Sequence, residues 1–281
     1  MLLRREQLDL FTADHQGSLL DDVSPRYLAG PGDARHVTHA LAAAGWTARS
    51  DPLTPAVDLV SPDRRYRLLL EPETAFRWSR TTWSLTSDAD GEHWYASFGA
   101  VPAEILAGFT DGLLLPPPAR ELPEVWDLLA DAGWAPVRHP NGDAEALSPD
   151  GTVHIGHRPV SEDIEGSRRV WRIEVRPHPD EGPPIWTAWI ANSPPPHLMH
   201  GLATALTDPA PLQRNWQQPE GHYRAQRTES PVKPAAYVRA HHDRIASIRA
   251  NVRATRRQAR KALATSPPLS QNPASPIRQA R

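Results

Sequence analysis

The strongest constraint on the fold of this 281-residue chain is an internal duplication. The stretch LAAAGWTARS, which contains Trp46, returns as LADAGWAPVR, in which Trp134 lies 88 residues further on. Two Ser-Pro-Asp segments, beginning at Ser61 and Ser148, are separated by 87 residues, and the helical pattern that closes each copy recurs after 93. Repetition at a nearly constant separation is typical of repeated structural units. We therefore expect two tandem copies of one fold.

Each copy shows the same order of secondary-structure patterns. A helical pattern ends at Gly45 or Gly133, stretches of alternating apolar residues follow, and a second helical pattern closes the copy. These patterns predict an α+β fold of two tandem repeats, each a helix, an antiparallel meander of four or five strands, and a helix. Six tryptophans recur at matched positions, and we expect them all in the core: Trp46, Trp83, Trp94, Trp134, Trp171 and Trp186.

Unmatched segments lie at both ends of the duplicated region. We divide the chain into an N-terminal segment 1–23, a first repeat 24–117, a second repeat 118–214, a linker 215–234, a basic helix 235–264 and a disordered tail 265–281. The N-terminal segment is weakly patterned and fits a short helix or an extra strand. The linker is rich in Pro and Gln, and the tail is rich in Pro and Ser.

Cysteine is absent from the whole chain, which excludes a disulfide framework, a thiolate metal site and a cysteine nucleophile. The first residues lack an apolar run of signal-peptide length, and no stretch approaches the roughly 20 apolar residues of a membrane span. We therefore expect a soluble, cytoplasmic protein without a membrane partner.

The net charge of −2 hides an uneven distribution. Residues 1–230 carry 20 Lys and Arg against 32 Asp and Glu, a net charge of −12. Residues 231–281 carry 11 Lys and Arg against one Asp, a net charge of +10. A basic segment attached to an acidic body indicates either an anionic partner such as nucleic acid, or a segment that folds back on its own body.

The basic segment is predicted to be one long helix because residues 235–264 contain no Gly or Pro. Apolar residues at steps of three and four form a thin seam from Val238 to Ala262, which suits pairing with another helix but weakens towards its C-terminal end. Cations fill the other sides of the helix, where they are suited to contact phosphates. These candidate anion-binding residues are Arg239, Arg244, Arg249, Arg253, Arg256, Arg257, Arg260 and Lys261.

A second candidate surface is the polar face of the predicted sheets. Strand alternation places Tyr95 and Trp189 on this face, with Arg172 and Arg176 on a neighbouring strand. Aromatic rings beside arginines are typical of surfaces that bind single-stranded nucleic acid. The simpler interpretation is that the two sheets cover these residues against each other or against a second subunit.

No pattern in the chain indicates catalysis. Three His-x-x-His pairs lack the third or fourth ligand that a metal site needs, and we interpret their helical members as exposed side chains: His36 and His39, His154 and His157, His197 and His200. A Gly-x-Ser-x-Gly elbow is missing, and Gly30-Pro-Gly-Asp has neither a preceding strand nor a Lys-Ser/Thr pair, which makes it a turn. We therefore expect no catalytic residues, no cofactor and no metal, and hence no enzyme.

Several stretches resemble a known family. They are SPRYLAGPGD, the Gly-Trp after the first helix, the Ser-Pro-Asp segment and, above all, WYASFGAVPAEILAGFTDGLL. Together they resemble the actinobacterial domain-of-unknown-function family 317, over about residues 24–214. The second copy departs by lacking YLAGPGD and by reading WTAWIANSPPPHLM where the first reads WYASFGAVPAEIL. The resemblance implies a tandem arrangement and a bacterial origin, and it implies no activity.

These observations favour binding over catalysis. We interpret the chain as a non-enzymatic binding or scaffold module that acts through protein–protein interaction, either with a partner protein or by self-association. The alternative is nucleic-acid binding through the basic helix, assisted by the sheet aromatics.

Overall fold

The N-terminal segment contains both a helix and a strand. The computed structural model describes residues 3–49, 56–71, 82–88, 93–117, 120–160, 168–177, 182–217 and 221–265. Helix α1 spans Arg5–His15 and strand β1 spans Leu20–Ser24, and a short 3-10 turn follows at Arg26–Leu28. The sequence left helix and strand open as alternatives for this segment, and the fold uses both.

The first repeat follows the predicted order of a helix, a meander and a second helix. Its first helix stops at Gly45, whose φ of +100° is a left-handed conformation that glycine adopts at little cost. The elements are α2 (Arg35–Ala44), β2 (Thr47–Ala48), β3 (Val57–Val60), β4 (Tyr66–Glu71), β5 (Thr82–Ser87), β6 (Tyr95–Phe98) and α3 (Ala103–Asp111).

The second repeat has the same elements in the same order. They are α4 (Val125–Asp131), β7 (Ala135–Arg138), β8 (Ala144–Leu147), β9 (Val153–Pro159), β10 (Arg169–Val175), β11 (Trp186–Ala191) and α5 (Pro196–Thr207). The predicted α+β fold of two tandem repeats is confirmed, with five strands in each meander.

The two meanders join edge to edge into one ten-stranded antiparallel sheet. Its strand order, β2-β3-β4-β5-β6-β11-β10-β9-β8-β7, reads the same from either end when equivalent strands are exchanged. At the junction Ser97 pairs with Trp189, and these two residues occupy equivalent positions 92 apart in the chain. An approximate two-fold axis therefore passes between them. The expected stacking of two separate sheets is wrong, because the last strand of each repeat forms backbone hydrogen bonds with the last strand of the other repeat.

Helices α2 to α5 cover one face of the sheet and share a continuous core with it. Five of the six matched tryptophans are buried in this core, as predicted, but Trp171 is half-buried. Its ring stacks between Trp126 and His157 and lines a surface groove of about 600 Å³. Helix α4 has seven residues where α2 has ten, so it covers less of the sheet at this position.

A second, three-stranded sheet ties the ends of the chain together. Strands β12 (Leu212–Asn215) and β13 (Gln226–Glu229) pair on either side of β1. The segment 215–234, which the sequence predicts to be a linker, thus contains a strand. Its side chains are mostly exposed, so it lacks the alternating apolar pattern that marks a strand in the sequence.

The predicted basic helix is present as α6, Pro234–Thr265. It packs on α2 and α1, outside the layer formed by α2 to α5, so the described helices leave the second face of the ten-stranded sheet uncovered. The tail, predicted to be disordered, lies outside the described residues from 266 onward.

Candidate functional site

The N-terminal half of α6 is docked on the body of the protein. Val238, His241 and Ile245 are buried where α6 meets α1 and α2, and Ile245 packs with Leu3 and Ala40. The first part of the predicted apolar seam is therefore occupied by the chain itself.

Histidines and aromatic rings form the centre of this docking contact. His39 and His241 are 5% and 3% exposed, and His39 Nδ1 lies 3.1 Å from His241 Nε2. Phe11 stacks on His241 with ring centroids 3.9 Å apart, and the Tyr237 hydroxyl lies 2.9 Å from His36 Nε2. The expectation that the helical histidines are exposed is wrong for His36 and His39, because α6 covers that side of α2.

Burial shifts the proton affinities of this histidine cluster. It lowers the pKa of His39 to about 4, assisted by the nearby charge of Arg35, and the pKa of His241 to about 3, assisted by the neighbouring His36 and His39 rings. At neutral pH both imidazoles are therefore uncharged, and a single N–H can bridge the 3.1 Å gap between them. Docking of α6 thus buries the two rings in their neutral state.

The Gly-Pro-Gly-Asp turn is held by a buried ion pair that the sequence did not predict. Arg214 donates to both carboxylate oxygens of Glu104, at 2.7 and 2.9 Å, and to the carbonyl oxygens of Ala29 and Gly30. A Cβ at Gly32 would lie 2.8 Å from the Arg214 guanidinium carbon. The second glycine of the turn is therefore required by close packing, and the interpretation of this segment as a turn holds.

The exposed end of α6 carries five cations on one side. At 100° per residue they span an arc of about 140°. We name this set the basic arc: Arg253, Arg256, Arg257, Arg260 and Lys261, all exposed. On the opposite side of the helix, Val252 and Thr255 face the body and line a cavity of about 210 Å³ with Trp46. The basic arc is thus exposed on the side of α6 away from the body, although Arg256 also lines this cavity.

The other three predicted anion-binding residues differ from the basic arc. Arg244 donates to both carboxylate oxygens of Asp111, at 2.6 and 2.9 Å, and Arg249 donates to the carbonyl oxygen of Leu3. These two belong to the docked half of the helix, and they realise the alternative in which the basic segment folds back on an acidic body. Arg239 is exposed near the N-terminal end of α6.

The basic arc lies next to the first repeat. A Cβ at Gly45 would lie 3.0 Å from Arg256 Nη2 and 3.5 Å from Pro62 Cγ, so the Arg256 guanidinium rests beside the Ser-Pro-Asp turn. Among the residues that the structure describes, no carboxylate pairs with any of these four arginines of the basic arc: Arg253, Arg256, Arg257 and Arg260. Within the described residues their charge is therefore not neutralised by an ion pair.

The predicted sheet surface is open. Tyr95 and Trp189 lie on the uncovered face, on the two strands that meet at the junction, and are 41% and 38% exposed. Arg172 lies directly across from Trp189 on β10, and Arg176 follows the end of that strand. Both arginines pair with Glu174. The structure thus brings all four predicted residues to one region, where Glu174 pairs with both arginines and compensates one of their two positive charges.

Comparison with known protein families identifies the repeated unit. The model of the SPDY domain of unknown function, DUF317, matches residues 60–119 and 147–212. The two matches begin 87 residues apart and end 93 apart, the separations seen in the sequence. Two tandem segments of the chain therefore match DUF317. Each match runs from just before the Ser-Pro-Asp turn to just beyond the closing helix, and α1, α2, α4 and α6 lie outside the matched ranges.

The match to DUF317 brings no assigned activity with it. No curated protein and no solved structure is significantly similar to the chain. None of the helices within the described residues is both long and apolar enough to span a membrane. The same residues include no cluster of three or more His, Asp or Glu side chains placed to hold a metal ion.

Proposed function

We propose that the protein binds nucleic acid through the basic arc of α6. One observation carries the proposal: five exposed cations lie on a single side of a helix whose other side is fixed to the protein. Cations presented together on one face neutralise successive phosphates of a strand, and the release of counterions then drives binding regardless of base sequence. Between Arg244 and Lys261 the helix contains no acidic residue that competes for these cations.

The sheet aromatics take no part in this proposal. Single-stranded nucleic acid binds to open sheets that offer both stacking rings and unpaired cations. Here both arginines near Trp189 are ion-paired with Glu174, so neither is an unpaired cation, and the three side chains together keep a net charge of only about +1. The proposal therefore places nucleic acid on the helix alone and assigns the protein a binding role without a reaction.

The test is binding of the full chain to fluorescein-labelled 20-base-pair DNA and to a 20-nucleotide single strand, measured by anisotropy at several salt concentrations. We expect salt-sensitive binding that the double variant Arg257→Gln/Arg260→Gln weakens about tenfold or more. The slope of log K against log salt for the duplex should fall by about 2, since each lost phosphate contact contributes about 0.9.

The matched control is Arg138→Gln/Arg158→Gln, which removes two exposed arginines from the second repeat. This control should bind like the unmodified chain. Absence of binding at about 50 mM salt, or equal weakening by both double variants, would contradict the proposal.

A second candidate function is self-association through the uncovered sheet face. Trp189 lies at the approximate two-fold axis with Tyr95 beside it, and exposed aromatic residues at the centre of a surface are typical of interaction sites. The charges of this face are largely paired, as Arg67 with Asp58 and Arg158 with Glu145. Two identical copies of the face therefore meet without strong repulsion between like charges.

The size of the face suits a dimer. Ten strands about 4.8 Å apart and about five residues long present roughly 750 Å². This value is close to the ~800 Å² that each partner buries in a typical stable interface. Sedimentation across a concentration range should show a dimer that Trp189→Asp dissociates, while the exposed control Trp216→Asp leaves it intact. A chain that stays monomeric at high concentration would reject this candidate.

A further inference from the structure

The outer edge of the first repeat contains a cavity rich in arginine. It measures about 430 Å³ and lies where β2, β3 and β4 meet the Ser-Pro-Asp turn. Its lining includes Arg49, Arg64, Arg67, Thr47, Ser61 and Tyr66. Neither the sequence patterns nor the DUF317 match assigns this cavity a role.

One of these arginines has an unusual backbone conformation. Arg64 has φ of +62°, in the left-handed region that side-chain-bearing residues seldom adopt. Its equivalent in the second repeat, 87 residues later, is Gly151 with φ of +71°. The turn is therefore one that glycine forms without strain, and the first repeat places an arginine there at a cost in backbone energy. Strain of this kind is typical of positions whose side chain has a function.

The equivalent edge of the second repeat lacks the whole set of cations. The positions of Arg49, Arg64 and Arg67 are filled there by Val137, Gly151 and His154. The cavity's charge is thus a property of one repeat, and it is not required to build the fold.

Among the described residues, one of the three arginines has a carboxylate partner and the other two have none. Arg67 is neutralised by Asp58, which accepts two hydrogen bonds of 3.0 Å from it. Within the described residues, no carboxylate pairs with Arg49 or Arg64. Asp88 also lines the cavity. The three arginines, counted against Asp58 and Asp88, give this region a net charge of about +1.

We propose that this cavity binds a phosphate group. Guanidinium groups form paired, charge-assisted hydrogen bonds with phosphate oxygens, and two arginines that converge on one space suit this geometry. The cavity adjoins the basic arc, because Pro62 lines it and Arg256 rests beside the same proline. The phosphate is therefore one of a nucleic acid held by the arc, and in this respect the inference rests on the proposed function.

The experiment compares the full chain with the double variant Arg49→Gln/Arg64→Gly. Arg64→Gly restores the residue that the second repeat uses, so the variant is expected to fold, and its thermal midpoint verifies this. The probes are inorganic phosphate, followed by calorimetry, and a 3′-fluorescein single strand with either a 5′-phosphate or a 5′-hydroxyl group. We expect the variant to bind inorganic phosphate at least fivefold more weakly than the unmodified chain.

The two oligonucleotides identify the source of the phosphate. A preference for the 5′-phosphate that disappears in the variant assigns the cavity to strand ends. Equal binding of both strands, weakened equally in the variant, assigns it to backbone phosphates. The inference is overturned if the variant binds all three probes as tightly as the control Arg138→Gln/Arg158→Gln.

The outcome for the cavity is separable from the outcome for the basic arc. A chain that binds inorganic phosphate through Arg64 but binds no nucleic acid would contradict the proposed function and support the cavity. Binding of nucleic acid that depends on Arg257 and Arg260 but not on Arg49 and Arg64 would contradict the cavity alone.

Discussion

Gly108 and Gly201 occupy equivalent positions in the two repeats and touch each other where α3 crosses α5. A Cβ at Gly201 would lie 2.2 Å from the Gly108 carbonyl oxygen, and one at Gly108 would lie 2.5 Å from the Gly201 carbonyl oxygen. The backbone of each helix thus packs against the other in the space that a side chain would occupy. The contact lies between equivalent residues, as does the pairing of Ser97 with Trp189 in the sheet.

We expect Gly201→Ala to destabilise the protein by about 1–3 kcal/mol or more, because the new methyl group meets backbone atoms that cannot move away. Urea denaturation measures the change. Gly17→Ala is the matched control, since no atom lies within 4 Å of a Cβ at that position. Equal stability of the two variants would show that α3 and α5 are free to separate.

Glu104→Gln should destabilise the protein by about 3–5 kcal/mol, because it leaves the Arg214 guanidinium buried without a counter-charge. Arg214 is only 4% exposed. The control Asp127→Asn removes an exposed partner of Arg138 and should cost less than about 1 kcal/mol. Chemical denaturation of both variants at pH 7 makes the comparison, and similar losses would argue against a structural role for the buried pair.

Docking of α6 should weaken as the pH falls below about 6.5. The pKa values of His39 and His241 are about 4 and 3, below the ~6.5 of an unfolded histidine, so the undocked or unfolded state binds more protons in this range. The stability is fully present above pH 6.5 and is lost towards pH 4. Two such groups predict a loss of about 2–4 kcal/mol between pH 7 and pH 5.

The groups that face these two rings are Asp33, Arg35, His36, His242 and Arg244. Denaturation at a series of pH values measures how the free energy of unfolding changes with pH. Hydrogen exchange of the α6 amides shows whether the change arises at this helix. His241→Phe should flatten the profile, whereas His139→Gln, at an exposed histidine, should leave it unchanged. A profile that His241→Phe does not alter would assign the pH dependence to other groups.

Arg64→Gly should raise stability by about 0.5–1 kcal/mol, since relief of the left-handed conformation outweighs the added freedom of glycine in the unfolded chain. Its neighbour Arg65 has no positive φ, and Arg65→Gly should therefore lower stability. Thermal unfolding of the two variants decides the sign. A loss in both would mean that Arg64 contributes contacts that exceed its strain.

The sequence predicts the repeats well because their pattern occurs twice. Each Gly-Trp, Ser-Pro-Asp turn and strand tryptophan is supported by an equivalent in the other copy, and this agreement locates five buried tryptophans. The sequence does not predict that β6 pairs with β11, since strand edges join through backbone groups that every residue carries. The sequence also does not predict strand β13, because its mostly exposed side chains lack the alternating apolar pattern of a strand.

The docking contact of α6 is equally hidden in the sequence. His39 and His241 meet across 202 residues. His241 falls within the predicted apolar seam of α6, but His39 lies outside the apolar positions of α2, so the sequence does not indicate that the two rings meet. Helical spacing indicates the apolar side of α6, but it groups the basic arc with three other cations because it does not predict that Arg244 binds Asp111 or that Arg249 binds the carbonyl oxygen of Leu3. The arginine cavity had a usable signal: SPDR in the first copy aligns with SPDG in the second. An arginine in one copy at the position of a turn glycine in the other copy indicates a difference in function between the two copies.

The pairing of β6 with β11 describes an isologous dimer whose two subunits share a single polypeptide. A homodimer must use one surface for both of its halves, so any new group appears twice. Within one polypeptide the two halves need not be identical. The first half has Arg64 where the second has Gly151, and the Tyr27 hydroxyl donates to Asp150 of the second half. Each half is therefore a reference copy for the other, and the sites where they differ are where a role belonging to one half should be sought.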